Sequence, residues 1–137
     1  MPHLTLEYTA NIRPNADMKG LCAKLARCLI AQQADGKAVY PIGGIRVRAY
    51  PTEDYCIGDG TIEAAFVHAS FKIGAGRSEQ TKTSTGDALF EIMKEHFAQI
   101  YGQTGLALSL EIGEFSEAGT WKHNNLHARF RAAQDKK

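Results

Sequence analysis

Twice along the chain, a run of alternating apolar and polar residues gives way to a run with helical period and then to a second alternating run. The first copy opens with "PHLTLEY", which puts Leu4, Leu6 and Tyr8 on one face and His3, Thr5 and Glu7 on the other, the pattern of a strand buried on one side. After "NIRPNAD", the residues Met18, Leu21, Cys22, Leu25, Cys28 and Leu29 recur with the helical period. Asn15 or Asp17 can cap that helix, and the glycine of "QQADGK" marks its end. "GGIRVRAYP" alternates again, with Ile45, Val47 and Ala49 inward and Arg46, Arg48 and Tyr50 outward, until Pro51. The second copy consists of the strand "EAAFVHASFKIG", the amphipathic helix "STGDALFEIMKEHFAQIYG" and the strand "GLALSLEIGEF". Its helix gathers Ala88, Leu89, Ile92, Met93, His96, Phe97 and Ile100 on the apolar side, and its last strand turns Leu106, Leu108, Leu110 and Ile112 inward.

A strand, helix, strand order of this length reads as a parallel pair joined by a right-handed crossover. Two such units predict an α/β fold: two consecutive β-α-β units forming a four-stranded mixed sheet with two helices on one face. At 137 residues and 44% hydrophobic, the chain suits one domain with a real core, spanning 1–137. The segment "FSEAGTWKHNNLHARF" reads as a loop and a short strand, and the polar residues 131–137 as a disordered tail.

The formal net charge of +1 gives no bulk reason to expect nucleic acid or an anionic membrane as partner. Cys22, Cys28 and Cys56 lack CxxC spacing and read as buried thiols in a reducing compartment. With no apolar run long enough to span a bilayer and no basic leader, the expected location is the cytoplasm.

The strand order carries a chemical consequence. If the first two strands are parallel, Pro2 and Arg46 lie at the same end of the sheet. If the two units pair antiparallel, the end of the third strand arrives there as well, running into "KIGAGRS" with Arg77. Each residue alone has an ordinary explanation. Proline suits the first residue of a strand, alternating arginines suit a solvated face, and a lone glycine pattern is weak support for an anion loop. Arg77, however, sits near a helix start, where the dipole disfavours a cation unless an anion joins it. Removal of Met1 would make Pro2 a secondary amine, and desolvation together with nearby guanidinium groups would lower its pKa from about 8. A neutral amine at physiological pH can act as a general base, while arginines grip carboxylates and stabilise a developing oxyanion.

Five stretches, "MPHLTLEYTANIR", "GGIRVR", "FVHASFKIGAGRS", "LSLEIGEF" and "KHNNLHARF", closely resemble the 5-carboxymethyl-2-hydroxymuconate isomerase family of the tautomerase superfamily, over nearly the whole chain. The resemblance implies a homotrimer and a cofactor-free keto-enol isomerisation in homoprotocatechuate breakdown. It implies that Pro2 is the proton carrier, that Arg46 and Arg77 hold or polarise the carboxylate and 2-oxo groups of a dicarboxylate or tricarboxylate dienol, and that Arg48 is a weaker substrate-binding candidate. Two loops, "AQQADGKAVYPIGG" and "YPTEDYCIGDGTIE", look longer or differently composed than the family pattern.

No metal is expected, because His123 and His127 lack the glutamate of a zinc motif and read as structural or solvated. His3 and His68 share the outward face with Arg46, and His96 reads as core or boundary. Two other functions compete with the isomerase: a non-catalytic trimeric binding protein resembling macrophage migration inhibitory factor, and a superfamily hydratase or dehalogenase acting on an unsaturated acid.

Overall fold

A computed structural model of the chain describes residues 1–136. In chain order its elements are β1 (His3–Thr9), α1 (Arg13–Ala16), α2 (Met18–Ala31), the hairpin strands β2 (Gln33–Ala34) and β3 (Lys37–Ala38), β4 (Arg46–Thr52), β5 (Ala64–Ile73), α3 (Glu79–His96), α4 (Ala98–Tyr101), β6 (Gly105–Glu114) and α5 (Leu126–Asp135). The main sheet has the order β4-β1-β5-β6. β1 runs parallel to β4 with His3 opposite Arg46, and β5 runs parallel to β6 with Ala64 opposite Gly105. The two pairs meet antiparallel along β1 and β5, His3 facing Lys72. This is the expected mixed sheet of two β-α-β units.

Alternation decides which side of the sheet is dry. Leu4, Leu6, Val67, Ala69, Phe71 and Ile73 are fully buried on one face. α2 answers with Met18, Leu21, Leu25 and Leu29, spaced so that they line one stripe, and α3 adds Thr85, Leu89 and Met93. Each fully buried large aliphatic side chain contributes roughly 1.5–3 kcal/mol through burial, so this face dominates the stability. The opposite face stays polar, with His3, Thr5 and His68 half-buried and Glu7 and Ser70 exposed.

Helix ends follow local chemistry. Asp17 caps α2, its carboxylate accepting from the Gly20 N–H at 3.1 Å. Ser78 caps α3 by accepting from the Thr81 N–H at 3.1 Å, and Glu79 follows in the first turn. α3 therefore begins at Glu79 rather than at Ser84 as the apolar pattern suggested, because residues 79–84 are all polar and leave no hydrophobic trace of the first turns. His96 joins α3 to the α1 segment: its Nε2–H donates to the Ala16 carbonyl at 2.6 Å, which leaves Nδ1 to accept from the Lys24 ammonium at 3.0 Å. It is a boundary residue, as expected.

Two expectations need correction. The tail read as irregular and then disordered forms α5 over Leu126–Asp135, and Lys137 lies outside the described residues. No residue of α5 is buried, so its sequence lacks the strong apolar stripe that would announce it. The cysteines are not uniformly buried either: Cys22 and Cys28 are half-buried and Cys56 is exposed in the loop between β4 and β5. Burial pushes the Cys22 and Cys28 thiols up from their ordinary values.

Candidate active site

At the end of the sheet where β1 and β4 begin, the chain brings its first residues against two arginines. The Arg46 N–H donates to the Pro2 carbonyl at 3.1 Å, the first bond of the β1–β4 ladder. Pro2 is buried, and as a strand-start residue it forfeits no ladder hydrogen bond. The guanidinium of Arg46 turns back on the turn Ile42–Gly44, donating to the Gly44 carbonyl at 2.7 Å and the Gly43 carbonyl at 3.4 Å.

Arg77 is set by three contacts. It donates to the Gly74 carbonyl and to the Val39 carbonyl, each at 3.1 Å, and its guanidinium lies 4.9 Å from the centre of the Tyr40 ring. Tyr40 is itself fixed: it is buried, its hydroxyl meets Thr85 Oγ1 at 2.9 Å, and its ring stands edge-on to Phe71. The loop "AQQADGKAVYPIGG" thus belongs to the site, supplying Val39, Tyr40 and the Gly43–Gly44 turn. "YPTEDYCIGDGTIE" runs from the end of β4 to the start of β5 and builds the opposite end of the sheet.

The terminal amine, carried in the structure by Met1, feels the charges of both arginines. Its pKa is lowered from the ordinary value near 8, first by burial, then by the charges of Lys122, Arg77 and Arg46, with Glu117 opposing. Beside it is a cavity of about 130 Å³ whose walls include Met1, His3, Gly74, Phe115, Glu117 and Lys122. Both guanidinium groups use part of their five N–H donors on backbone carbonyls, and among the described residues neither forms an ion pair with a carboxylate. They are held in place by neutral acceptors while keeping their charge for an anion.

Of the expected site residues, the structure places Pro2 against Arg46 and brings the charge of Arg77 to bear on the adjoining Met1 amine. Arg48 sits one step along the same face, where its Nη1 donates to His3 Nδ1 at 2.9 Å. Burial, Arg48, Arg46 and the terminal amine all lower the pKa of His3, which suits a neutral ring that accepts from Arg48. His68 meets Ser109 at 2.7 Å on a neighbouring part of the face. His127 packs against the Gly43–Gly44 turn: a Cβ at Gly43 would fall 2.7 Å from the His127 backbone nitrogen, so only glycine lets α5 settle there.

The sequence reading missed Lys122 and Glu117. A signal was available, because β6 is parallel to β5 and Glu114 stands opposite Ile73, so the chain after β6 must emerge beside Gly74. The strand order that delivers Arg77 also delivers the segment from Phe115 to Lys122.

Comparison with known proteins agrees with this fold. The family model for 5-carboxymethyl-2-hydroxymuconate isomerase matches residues 2–130. A 5-carboxymethyl-2-hydroxymuconate Delta-isomerase of Escherichia coli is 40% identical over 131 residues, covering 96% of this chain and 100% of the relative. The crystal structure of a 5-carboxymethyl-2-hydroxymuconate isomerase from Deinococcus radiodurans R1 superposes with a TM-score of 0.88 at 52% identity, covering 95% of this chain and 94% of the other. A macrophage migration inhibitory factor-like protein from Entamoeba histolytica, with a TM-score of 0.59 at 14% identity over 90% of this chain and 96% of its own, shares the fold alone. A family match across nearly the whole length, with the fold it requires, shows that the chain belongs to the 5-carboxymethyl-2-hydroxymuconate isomerase family.

Proposed function

We propose that the protein is a cofactor-independent isomerase that converts 5-carboxymethyl-2-hydroxymuconate into 5-carboxy-2-oxohept-3-enedioate, with Pro2 as the base and then the acid once Met1 has been removed. The observation that carries this reading is that the chain's terminal amine, on Met1 next to Pro2, has its pKa lowered by burial and by the charges of Lys122, Arg77 and Arg46. Family membership supports the substrate, and it favours the isomerase over a pure binding protein or a hydratase.

The reaction is redox-neutral and balances within the substrate. The neutral secondary amine takes the proton of the 2-hydroxyl group, and the oxygen's electrons form the 2-oxo group. The double bond from carbon 2 moves to lie between carbons 3 and 4, and the electron pair released at carbon 5 receives the proton back from the ammonium. Arg46 and Arg77 hold the adjacent carboxylate and neutralise the oxyanion that develops at carbon 2. Both are anchored on backbone carbonyls, so little rearrangement is needed as that charge appears.

Retention of Met1 would turn the Pro2 nitrogen into an amide that cannot accept a proton. Intact mass and a dienol assay on one sample therefore test the reading: chains starting at Pro2 isomerise the dienol, and a full rate from chains that keep Met1 overturns the amine mechanism. The same proposal includes the homotrimer and the place in homoprotocatechuate breakdown, supported by the family match. Sedimentation of the purified protein tests the assembly, and a monomer active at full rate would remove it. No helix of the described residues is long and apolar enough to cross a membrane, and a cytoplasmic location remains part of the proposal.

A further inference from the structure

The substrate class of the proposed reaction carries three carboxylates: Arg46 and Arg77 serve the one beside the developing oxyanion, and Arg48, in no ion pair among the described residues, is available for a second. The cavity beside the terminal amine offers another cation. Lys122 lines it, on the segment that β6 returns to this end of the sheet. Its ammonium is free of ion pairs among the described residues. Phe115 and His3, packed edge to face at 5.7 Å, form a rigid wall of the same cavity. Glu117 lines it too, with Oε1 only 3.6 Å from where a Cβ on Gly74 would stand, and so adds a negative charge to the same wall set as Lys122.

We propose that Lys122 is a specificity-determining residue that takes a third carboxylate, so that the site selects tricarboxylates over otherwise equal dicarboxylates. Glu117 sharpens that choice, because it repels any carboxylate not drawn onto the lysine. The charge of Lys122 is also the foremost of those lowering the pKa of the Met1 amine, so Lys122 acts on the chain end where the Pro2 amine is exposed once Met1 is removed. This inference rests on the isomerase reading for the identity of the dienol, but the recognition it describes can be measured without turnover.

The test uses the full chain starting at Pro2 and two unreactive probes that differ by one carboxylate, propane-1,2,3-tricarboxylate and glutarate, titrated by calorimetry. The wild type should prefer the tricarboxylate. Lys122→Met should weaken that ligand by about tenfold and glutarate by less than about twofold, and Lys122→Arg should restore the preference. A merely structural lysine would weaken both probes together. Equal losses for both probes, no change for either, or no preference in the wild type overturns the proposal. In the dienol assay Lys122→Met should raise KM more than it lowers kcat. It should also move the acid limb of the pH profile upward, since a neighbouring cation has gone while Arg46, Arg77, Glu117 and His3 remain. Tricarboxylate preference in a wild type that turns over no dienol would uphold the role of Lys122 and sink the isomerase reading instead.

Discussion

The two ends of the sheet are built alike and carry different charge. At one end β1 and β4 start side by side; at the other, β5 and β6 start side by side, with Ala64 opposite Gly105 as His3 is opposite Arg46. The far end has a cavity of its own, about 230 Å³, lined by Asn11, Tyr55, Cys56, Ile62, Glu63 and others. Its walls carry no lysine or arginine among the described residues, whereas Arg46, Arg77 and Lys122 all bear on the amine at the proline end. The repeated architecture makes two equivalent mouths, and the placement of cations and of the chain terminus sets one of them apart.

That contrast is most directly broken at Pro2. Pro2→Ala, confirmed by mass to start at the alanine, should lower kcat by about 10²–10⁴ in the dienol assay, because a primary amine replaces the positioned secondary one. An unchanged rate would remove the proline end from the mechanism. Arg77→Ala should cost about 10²–10³ in kcat/KM through loss of an oxyanion donor. Arg77→Lys should recover only part of this, since an ammonium cannot hold Val39, Gly74 and the Tyr40 ring together as the planar fork does.

The pH dependence sharpens the comparison further. A protonated amine cannot act as base, so kcat/KM should rise with pH through the amine pKa and level above it. Burial and the charges of Lys122, Arg77 and Arg46 lower the pKa of the Met1 amine, and the same cations should act on Pro2 once Met1 is gone, so the rise should be centred below about 8, the ordinary amine value. A midpoint at or above that value would mean the cations do not act on the base.

Gly43→Ala should have a smaller effect, destabilising the protein by about 1–3 kcal/mol in denaturant melts. The new methyl group must push α5 and His127 off the turn that Arg46 also uses. The smallest effect belongs at the far end, where Cys56→Ser should leave kcat/KM within about twofold, since an exposed thiol there touches none of the chemistry. A large loss from Cys56→Ser would show that the two ends communicate.

Legibility in the sequence followed the reach of each physical signal. Alternation at Leu4, Leu6 and Tyr8 and helical spacing at Leu21, Leu25 and Leu29 record one-sided burial, so those elements could be read directly. The polar first turns of α3 and the exposed α5 bury almost nothing and left no such record, and the Ser78 cap of α3 emerged only in the structure. Arg46 and Arg77 were legible as neighbours because strand direction alone brings them to one end. Lys122 followed by the same logic but sat in a segment without periodicity.

By itself, then, the sequence determined the doubled β-α-β order, the dry face of the sheet and the end at which Pro2, Arg46 and Arg77 meet, because residue periodicity and strand direction are local properties with global consequences. Only the tertiary structure decided what surrounds the amine. Tyr40 under Arg77, the Gly43–Gly44 turn against α5, and Lys122 and Glu117 in the walls of one small cavity all come from loops. A loop's course is set by the packing available where it lands, and no pattern of its own residues records that.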